Sequence, residues 1–298
     1  MVAYVVEKVE AVWLIAREPL KSMDWMSPYV WQGRDQKLWM MMRGVPNPFR
    51  SFDPTGVIWC GYSDDGLTFN MDPRPVIVPG PESIDSGGVE DPTVIPDDRG
   101  LMVYYTGVHA DRRQGAMLLA SGPDPYSLEK REVIFKAPAG EGNFKEATLL
   151  QAPDGSWRLF YEYAEDGASR IGMARAPQLG TEWTALQEMV PIREDSWDNW
   201  HLSPGPIVQQ QGRDPVMFYN GATDDARWRI GWVTFDQGCE CITGRGVEPL
   251  LLPPPASDRA ATDIAFAASA ILQPDGLIHL YYSLEDRLIS RAVVRAYD

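Results

Sequence analysis

The stretch Gly87–Gly107, GGVEDPTVIPDDRGLMVYYTG, decides the fold of this chain. It begins with two glycines and an acidic pair, Glu90-Asp91, and continues through an apolar run, a polar turn and a second apolar run. Two apolar runs joined by a short polar turn predict a β-hairpin. The stretch therefore predicts a hairpin with a carboxylate, Asp91, at the start of its first strand.

The same pattern occurs five times along the chain. Each copy has an aromatic-rich second strand that ends in a polar residue, and these residues are Arg43, Thr106, Glu162, Asn220 and Ser283. In steps of 64, 55, 57 and 64 residues, the corresponding first strands start at Ser27, Asp91, Glu146, Ser203 and Ala267. Such a repeat predicts similar units packed side by side.

Third and fourth strands follow in most units. The expected third strands are Val57–Tyr62, Gly115–Ala120, Arg170–Ala174, Arg229–Phe235 and Leu288–Val294. The expected fourth strands are Pro75–Val78, Glu132–Phe135, Met189–Ile192 and Glu248–Leu252. The fifth unit ends before its fourth strand, and the N-terminal segment Ala11–Pro19 resembles the missing one. The sequence therefore predicts an all-β fold, a five-bladed β-propeller of four-stranded blades, with the ring closed by an N-terminal strand that completes blade five.

The whole chain, residues 1–298, is expected to form this single domain. In a propeller the innermost strands line a central funnel, so polar residues at repeated positions converge although they are far apart in sequence. The three cysteines suggest no disulfide framework, and Cys239 and Cys241 lack the second pair that a zinc site needs. Neither a metal nor a cofactor is expected.

The charge balance limits the partners. The formal net charge is −15, with 42 acidic and 27 basic residues. Nucleic acids and anionic membranes need a basic surface, so neither is an expected partner. The N-terminus lacks the regions of a signal peptide, and no apolar stretch is long enough to span a membrane. We expect a cytoplasmic protein; its oligomeric state, a homo-oligomer included, stays open.

Several short motifs together resemble a known family. They are Glu90-Asp91-Pro92, Tyr105-Thr106, the turn Ser63-x-Asp65-Gly66-x-x-Phe69 and Tyr281-Tyr282-x-x-x-Asp286. The chain resembles glycoside hydrolase family 130, whose members are five-bladed propellers that act on β-mannosides, some as phosphorylases and some as hydrolases. The resemblance implies an oligosaccharide substrate. It also implies that Asp91 is the proton donor and acts through a sugar hydroxyl.

The chain departs from the family pattern where phosphate would bind. Thr93 replaces an arginine after Glu90-Asp91-Pro92, Glu162 stands in place of a blade-three arginine, and Asn220 stands in place of a blade-four histidine. Phosphate sites need Arg, Lys or His donors. We therefore expect hydrolysis, although a phosphorylase with an unusual phosphate site and a non-catalytic carbohydrate-binding propeller stay as alternatives.

Glycoside cleavage with inversion uses two carboxyl groups, roughly 6.5–9.5 Å apart. The candidate catalytic residues are Asp91 as acid and either Glu146 or Glu162 as base. The candidate substrate-binding residues are Arg43, Thr106, Lys145, His201, Asn220 and Asp286. Purely structural roles compete with these: a salt bridge from Glu162 to Arg43 or Arg170, a packed loop at Trp197, and a local turn at Asp65. Glu90 is expected to be structural, because it points away from Asp91 in an extended chain.

Overall fold

The computed structural model describes residues 2–81, 84–112, 114–136, 143–258 and 260–298. The fold is all-β, as predicted: the described residues form 24 strands and a single 3₁₀ turn, Leu20–Ser22. None of the helical structure in these ranges is long and apolar enough to cross a membrane.

The strands follow the repeat. The N-terminal pair is β1 (Ala3–Ala11) and β2 (Trp13–Ile15). The first unit is β3 (Met23–Gln32), β4 (Leu38–Pro46), β5 (Val57–Ser63) and β6 (Thr68–Ile77). The second is β7 (Gly88–Asp97), β8 (Gly100–Val108), β9 (Gly115–Gly122) and β10 (Glu129–Lys136). The third is β11 (Phe144–Gln151), β12 (Trp157–Glu165), β13 (Ala168–Ala176) and β14 (Thr184–Glu188).

The fourth unit is more irregular than the others. Its strands are β15 (His201–Ser203), β16 (Ile207–Val208), β17 (Val216–Met217), β18 (Asn220–Ala222), β19 (Arg229–Ile230), β20 (Val233–Phe235) and β21 (Ile242–Arg245). They form two small sheets, in the orders β15-β18-β19 and β16-β17-β20-β21. The fifth unit is β22 (Ala265–Leu272), β23 (Ile278–Leu284) and β24 (Leu288–Tyr297). Neighbouring strands within the units run antiparallel, except where β2 joins the first unit.

Each sheet is covered on both faces, which explains the aromatic and methionine-rich second strands. Met40, Met41 and Met42 are all fully buried, although successive side chains of a strand face opposite sides. Met41 packs with second-unit residues such as Tyr105, whereas Met40 and Met42 pack with fifth-unit residues such as Tyr281. A strand between two neighbouring units therefore needs apolar residues without alternation.

The first strands of the units contact one another in a closed circle. β3 contacts β7, β7 contacts β11, β11 contacts β16, β16 contacts β22, and β22 contacts β3. A buried polar side chain links each neighbouring pair of units. The hydrogen bonds are Ser27 Oγ to Asp91, Thr93 Oγ1 to Ala147 O, Thr148 Oγ1 to Gly205 O, Asn220 Nδ2 to Ala267 O, and Ser269 Oγ to Pro28 O.

The N-terminal segment differs from the prediction. The strand beside β24 is β1, Ala3–Ala11, and not Ala11–Pro19. Ion pairs from Arg291 to Glu10 and from Arg295 to Glu7 join the two strands. Strand β2 instead runs parallel to β6 and adds a fifth strand to the first unit.

Two of the predicted outer strands were also wrong. The outer strands are Thr184–Glu188 and Ile242–Arg245, whereas Met189–Ile192 and Glu248–Leu252 lie beyond them. Val190 is fully buried in a core cluster, and Leu251 forms an isolated bridge with Ile230 in place of a strand. At these positions the apolar residues of the sequence indicated burial, but they did not indicate strand pairing.

Asn220, a predicted substrate-binding residue, carries a prediction about stability. Its side chain donates to Pro204 O and Ala267 O and accepts from Ala267 N. We expect Asn220→Ala to lower the free energy of unfolding by about 2–4 kcal/mol, because buried backbone groups lose their partners. Urea denaturation measures this. A loss equal to that of an exposed control, Asn70→Ala, would contradict the role of this bridge.

Candidate active site

Three inner strands carry the same backbone irregularity at the same place. Ser27, Asp91 and Glu146 have φ angles of 51°, 51° and 54°. The pairing of β3, β7 and β11 with their neighbours shifts register at these residues. Each is therefore the turning point of a β-bulge, which re-aims one side chain and leaves the rest of the strand in the sheet. The sequence predicted Asp91 at the start of its strand, whereas the structure places it inside β7.

The bulges open onto a cavity of about 170 Å³. Its lining consists of Met26, Ser27, Arg43, Asp91, Lys145, Glu146, Glu162, Trp228, Ile264, Phe266, Ser283 and Asp286. Six of the nine predicted site residues are in this set. The three that are not are Thr106, His201 and Asn220.

Other clefts are larger but lack this chemistry. One of about 250 Å³ lies at the other end of β3 and β4 and is lined by Trp31, Trp39 and several prolines. Its Asp35 already accepts from the Trp39 indole and from the Lys37 amide. We take the four carboxyl groups of the smaller cavity as the better guide to function.

Glu162 is held by two donors. Its Oε1 lies 3.4 Å from Lys145 Nζ and accepts a hydrogen bond of 2.8 Å from Ser169 Oγ. The Glu162 carboxylate in turn raises the pKa of Lys145 and keeps the ammonium charged. The sequence suggested Arg43 or Arg170 as the partner of Glu162. The partner is Lys145, because β11 and β12 place the two residues directly opposite each other.

Arg43 supports the cavity from the side of the first unit. It lies 2.7 Å from Glu90 Oε1, and its Nε and Nη2 donate to Thr55 O. Burial raises the pKa of Glu90, and the Arg43 charge opposes that effect. Glu90 is thus structural, as predicted, with Arg43 as its partner, and it does not line the cavity.

Two further carboxyl groups favour their protonated forms. Burial raises the pKa of Glu146 well above its usual range, and the Asp91 and Glu162 charges add to the effect. Burial also raises the pKa of Asp286, with Arg43 opposing. Four carboxyl groups around a small cavity cannot all ionise cheaply, since like charges disfavour one another. Burial and the surrounding charges therefore favour the protonated forms of Glu146 and Asp286 more than free solution does.

His201 lies behind the cavity wall. Its Nδ1 accepts from the Ser169 amide, which leaves Nε2 as the protonated nitrogen of the neutral ring. Burial lowers the pKa of His201. The ring stacks on Trp228 at 5.5 Å between centroids. His201 is thus an uncharged neighbour of the site in neutral solution.

Trp228 and Phe266 form an aromatic side of the cavity that the sequence reasoning missed. Their rings meet edge to face at 5.2 Å, and both are half-buried. Trp228 precedes β19 and Phe266 belongs to β22. The signal was weak, because the chain has 11 tryptophans and many aromatic residues of this fold fill the space between neighbouring sheets.

Two structural predictions are confirmed. Trp197 packs on Tyr219 with its ring nearly parallel, and its indole donates to Val247 O. Asp65 accepts from the amides of Leu67 and Thr68, as a local turn requires.

Thr106 is buried opposite Glu90. Within the described ranges, no group of three or more His, Cys, Asp or Glu residues is arranged to hold a metal ion.

Comparisons with known proteins agree with this fold. No family model matches the chain. A β-1,2-mannobiose phosphorylase from Listeria innocua is 25% identical over 234 residues, 75% of this chain and 62% of the relative. The chain thus spans less than two thirds of that relative's length in the sequence match.

Solved structures extend the match to the whole fold. A β-1,2-mannobiose phosphorylase from Listeria innocua, in complex with β-1,2-mannobiose, has a TM-score of 0.77 at 18% identity, covering 93% of this chain and 92% of that one. The resemblance to glycoside hydrolase family 130 is confirmed at the level of the fold.

Two other solved structures show the range of that fold. One comes from work describing family 130 hydrolases that target β-1,2-mannosidic linkages in Candida mannan; it has a TM-score of 0.72 at 18% identity and covers 91% and 84% of the two chains. A mannose phosphorylase from Leishmania mexicana, in complex with a phosphate ion, has a TM-score of 0.71 at 13% identity and covers 97% and 88%.

The Arg43–Glu90 pair carries the first prediction about the site. We expect Arg43→Met to lower the free energy of unfolding by about 3–5 kcal/mol, because it leaves Glu90 buried without its cation. The double variant Arg43→Met/Glu90→Gln should recover much of that loss. Chemical denaturation of both variants tests the pair, and equal losses would show that the ion pair is not what matters.

Glu146 gives a prediction about pH. In the unfolded chain it ionises near pH 4.3, whereas its raised pKa in the fold delays ionisation. The free energy of unfolding of the wild type should therefore fall as the pH rises from about 4.3 towards the higher pKa that Glu146 has in the fold. Glu146→Gln should match the wild type below about pH 4 and exceed it increasingly at higher pH. The exposed control Glu248→Gln should show no such trend, and a flat difference for Glu146→Gln would refute the argument.

Proposed function

We propose that this protein is a glycoside hydrolase that cleaves a short β-mannoside or a related oligosaccharide with inversion. The observation that carries the proposal is the convergence of Asp91, Glu146 and Glu162, from three inner strands, on one cavity. Trp228 and Phe266 offer apolar ring faces to a sugar on the same cavity. Carboxyl pairs beside an apolar surface suit the charge and shape of a glycosyl transition state.

We also propose that the fold is a five-bladed propeller closed by an N-terminal strand. It is supported by the closed circle of contacts among β3, β7, β11, β16 and β22. The pairing of β1 with β24 supports closure from the outside. In this arrangement the bulges at Asp91 and Glu146 face the axis, where a substrate enters.

Asp91 is the proton donor in this proposal and Glu162 is the base. Glu162 suits the base because Lys145 and Ser169 hold its Oε1 in a fixed position. Glu146 favours its protonated form, so it is less able to accept a proton from water near neutral pH. Glu146 instead hydrogen-bonds a sugar hydroxyl. Arg43, Lys145 and Asp286 complete the polar side of the cavity, and His201 holds Trp228 from behind.

Hydrolysis is favoured because both cations of the cavity are already engaged. Arg43 binds Glu90 and the Thr55 carbonyl, and Lys145 binds Glu162. Phosphate would have to compete with these carboxylates in a cavity that is rich in negative charge. The names of the Listeria innocua and Leishmania mexicana relatives favour phosphorolysis, which is the second candidate.

The product of cleavage separates these candidates. β-Linked mannobioses, the β-1,2 isomer first, are incubated with the protein with and without inorganic phosphate. Free mannose formed at the same rate in both arms is the expected result. A phosphate-dependent rate with a sugar 1-phosphate product would establish the second candidate. Binding without turnover in either arm would leave a carbohydrate-binding propeller.

Asp91→Asn tests the assignment of the acid. An amide cannot give up a proton, so we expect turnover to fall by about 10²–10⁴-fold with a small effect on KM. Asp98→Asn, on the exposed turn of the same hairpin, is the matched control and should keep full activity. Steady-state kinetics on the substrate identified by the product screen measures both. Undiminished turnover in Asp91→Asn would sink the mechanism.

A further inference from the structure

Ser27 occupies, on the first unit, the bulge position that Asp91 and Glu146 occupy on the second and third. Its φ of 51° matches theirs, and its side chain is buried against the cavity. The Ser27 hydroxyl donates a hydrogen bond of 2.7 Å to Asp91 Oδ1. A short, buried O–H···O contact of this kind fixes the carboxyl group on which it acts.

This contact also belongs to the circle of links between neighbouring units. The other four links join a side chain to a backbone carbonyl, as Thr93 does with Ala147 O and Thr148 with Gly205 O. The link between the first and second units is the exception, because it ends on a carboxyl group. Whatever holds these two units together at this point also acts on Asp91.

We propose that Ser27 is a positioning residue for Asp91 that directs its proton to Oδ2 and stabilises the carboxylate left when that proton departs. The proposal rests on the function proposed above. With Oδ1 engaged by Ser27, Oδ2 is the oxygen that carries the transferable proton. Ser27 touches no bond that changes and contributes through Asp91.

In the proposed step one proton leaves Asp91 and one proton reaches Glu162. Asp91 Oδ2 releases its proton toward the leaving glycosidic oxygen through a sugar hydroxyl, and the bond from that oxygen to the anomeric carbon breaks. Water forms the new bond to the anomeric carbon and gives its proton to Glu162. Asp91 ends as a carboxylate, and the Ser27 hydrogen bond then has a charged acceptor, which roughly doubles its strength. Proton exchange with solvent resets both groups.

The charged groups that act on Asp91 from the surrounding strands are Glu90, Lys145, Glu146, Asp286 and the Arg43 beside Glu90. All of them stay in place when Ser27 alone is changed. A pH effect of Ser27→Ala therefore reports the loss of its hydroxyl. Thr148→Val is the matched control, because it removes a comparable buried link between two units that ends on a backbone carbonyl.

The first test is the pH dependence of kcat. Without the Ser27 hydroxyl the Asp91 carboxylate is less stabilised, so Asp91 should keep its proton to higher pH. The fall of kcat on the basic side of the profile should therefore occur at higher pH in Ser27→Ala than in the wild type. We expect kcat at the optimum to fall about tenfold with KM nearly unchanged. Thr148→Val should leave the limb where it is. An unmoved limb in Ser27→Ala, or one displaced to lower pH, overturns the proposal.

The second test needs no activity, so it separates this inference from the proposed function. The loss of unfolding free energy in Ser27→Ala should be larger at about pH 9 than at about pH 3, because the Ser27 hydroxyl binds an ionised carboxylate more strongly than a protonated carboxyl. The loss in Thr148→Val should be the same at both. If the wild type turns over no mannoside but this difference appears, the function fails and the Ser27 link stands. A Ser27→Ala loss that does not change with pH removes the link.

Discussion

The structure depends on the contacts among the five inner strands. Each of these strands packs against the inner strands of both neighbouring units, and each junction contains a buried hydrogen bond from a polar side chain. An apolar contact alone would hold two sheets together without fixing how far one is shifted past the other along the strands. A buried donor that must find its acceptor removes that freedom, because leaving it unsatisfied costs about 1–3 kcal/mol.

The same constraint creates the site. Bulges at Ser27, Asp91 and Glu146 interrupt the ladders where the inner strands approach one another, and non-glycine residues with positive φ are strained there. Strain of this kind persists only where the surrounding structure enforces it. Here the neighbouring units enforce it, and the result is a set of carboxyl groups turned toward one cavity.

Charge within the cavity follows from this crowding. Asp91, Glu146, Glu162 and Asp286 face it, while the two cations, Arg43 and Lys145, are each committed to a carboxylate. Burial raises the pKa of Glu146 and Asp286. The excess of carboxyl groups adds to this effect and opposes the binding of an anion such as phosphate. It is compatible with a neutral sugar, whose hydroxyl groups can donate to the carboxylates and accept from the protonated carboxyls.

The sequence by itself determined the repeated units, the all-β class and six of the residues that line the cavity, because apolar periodicity and strand-end polarity are local properties. Tertiary structure decided the partners. The pairing of β1 with β24, the engagement of Asn220 with Ala267, the Lys145–Glu162 pair and the aromatic side formed by Trp228 and Phe266 all join residues from distant segments or opposing strands. Hydrophobicity predicts that a residue is buried, but only the tertiary packing decides what it is buried against.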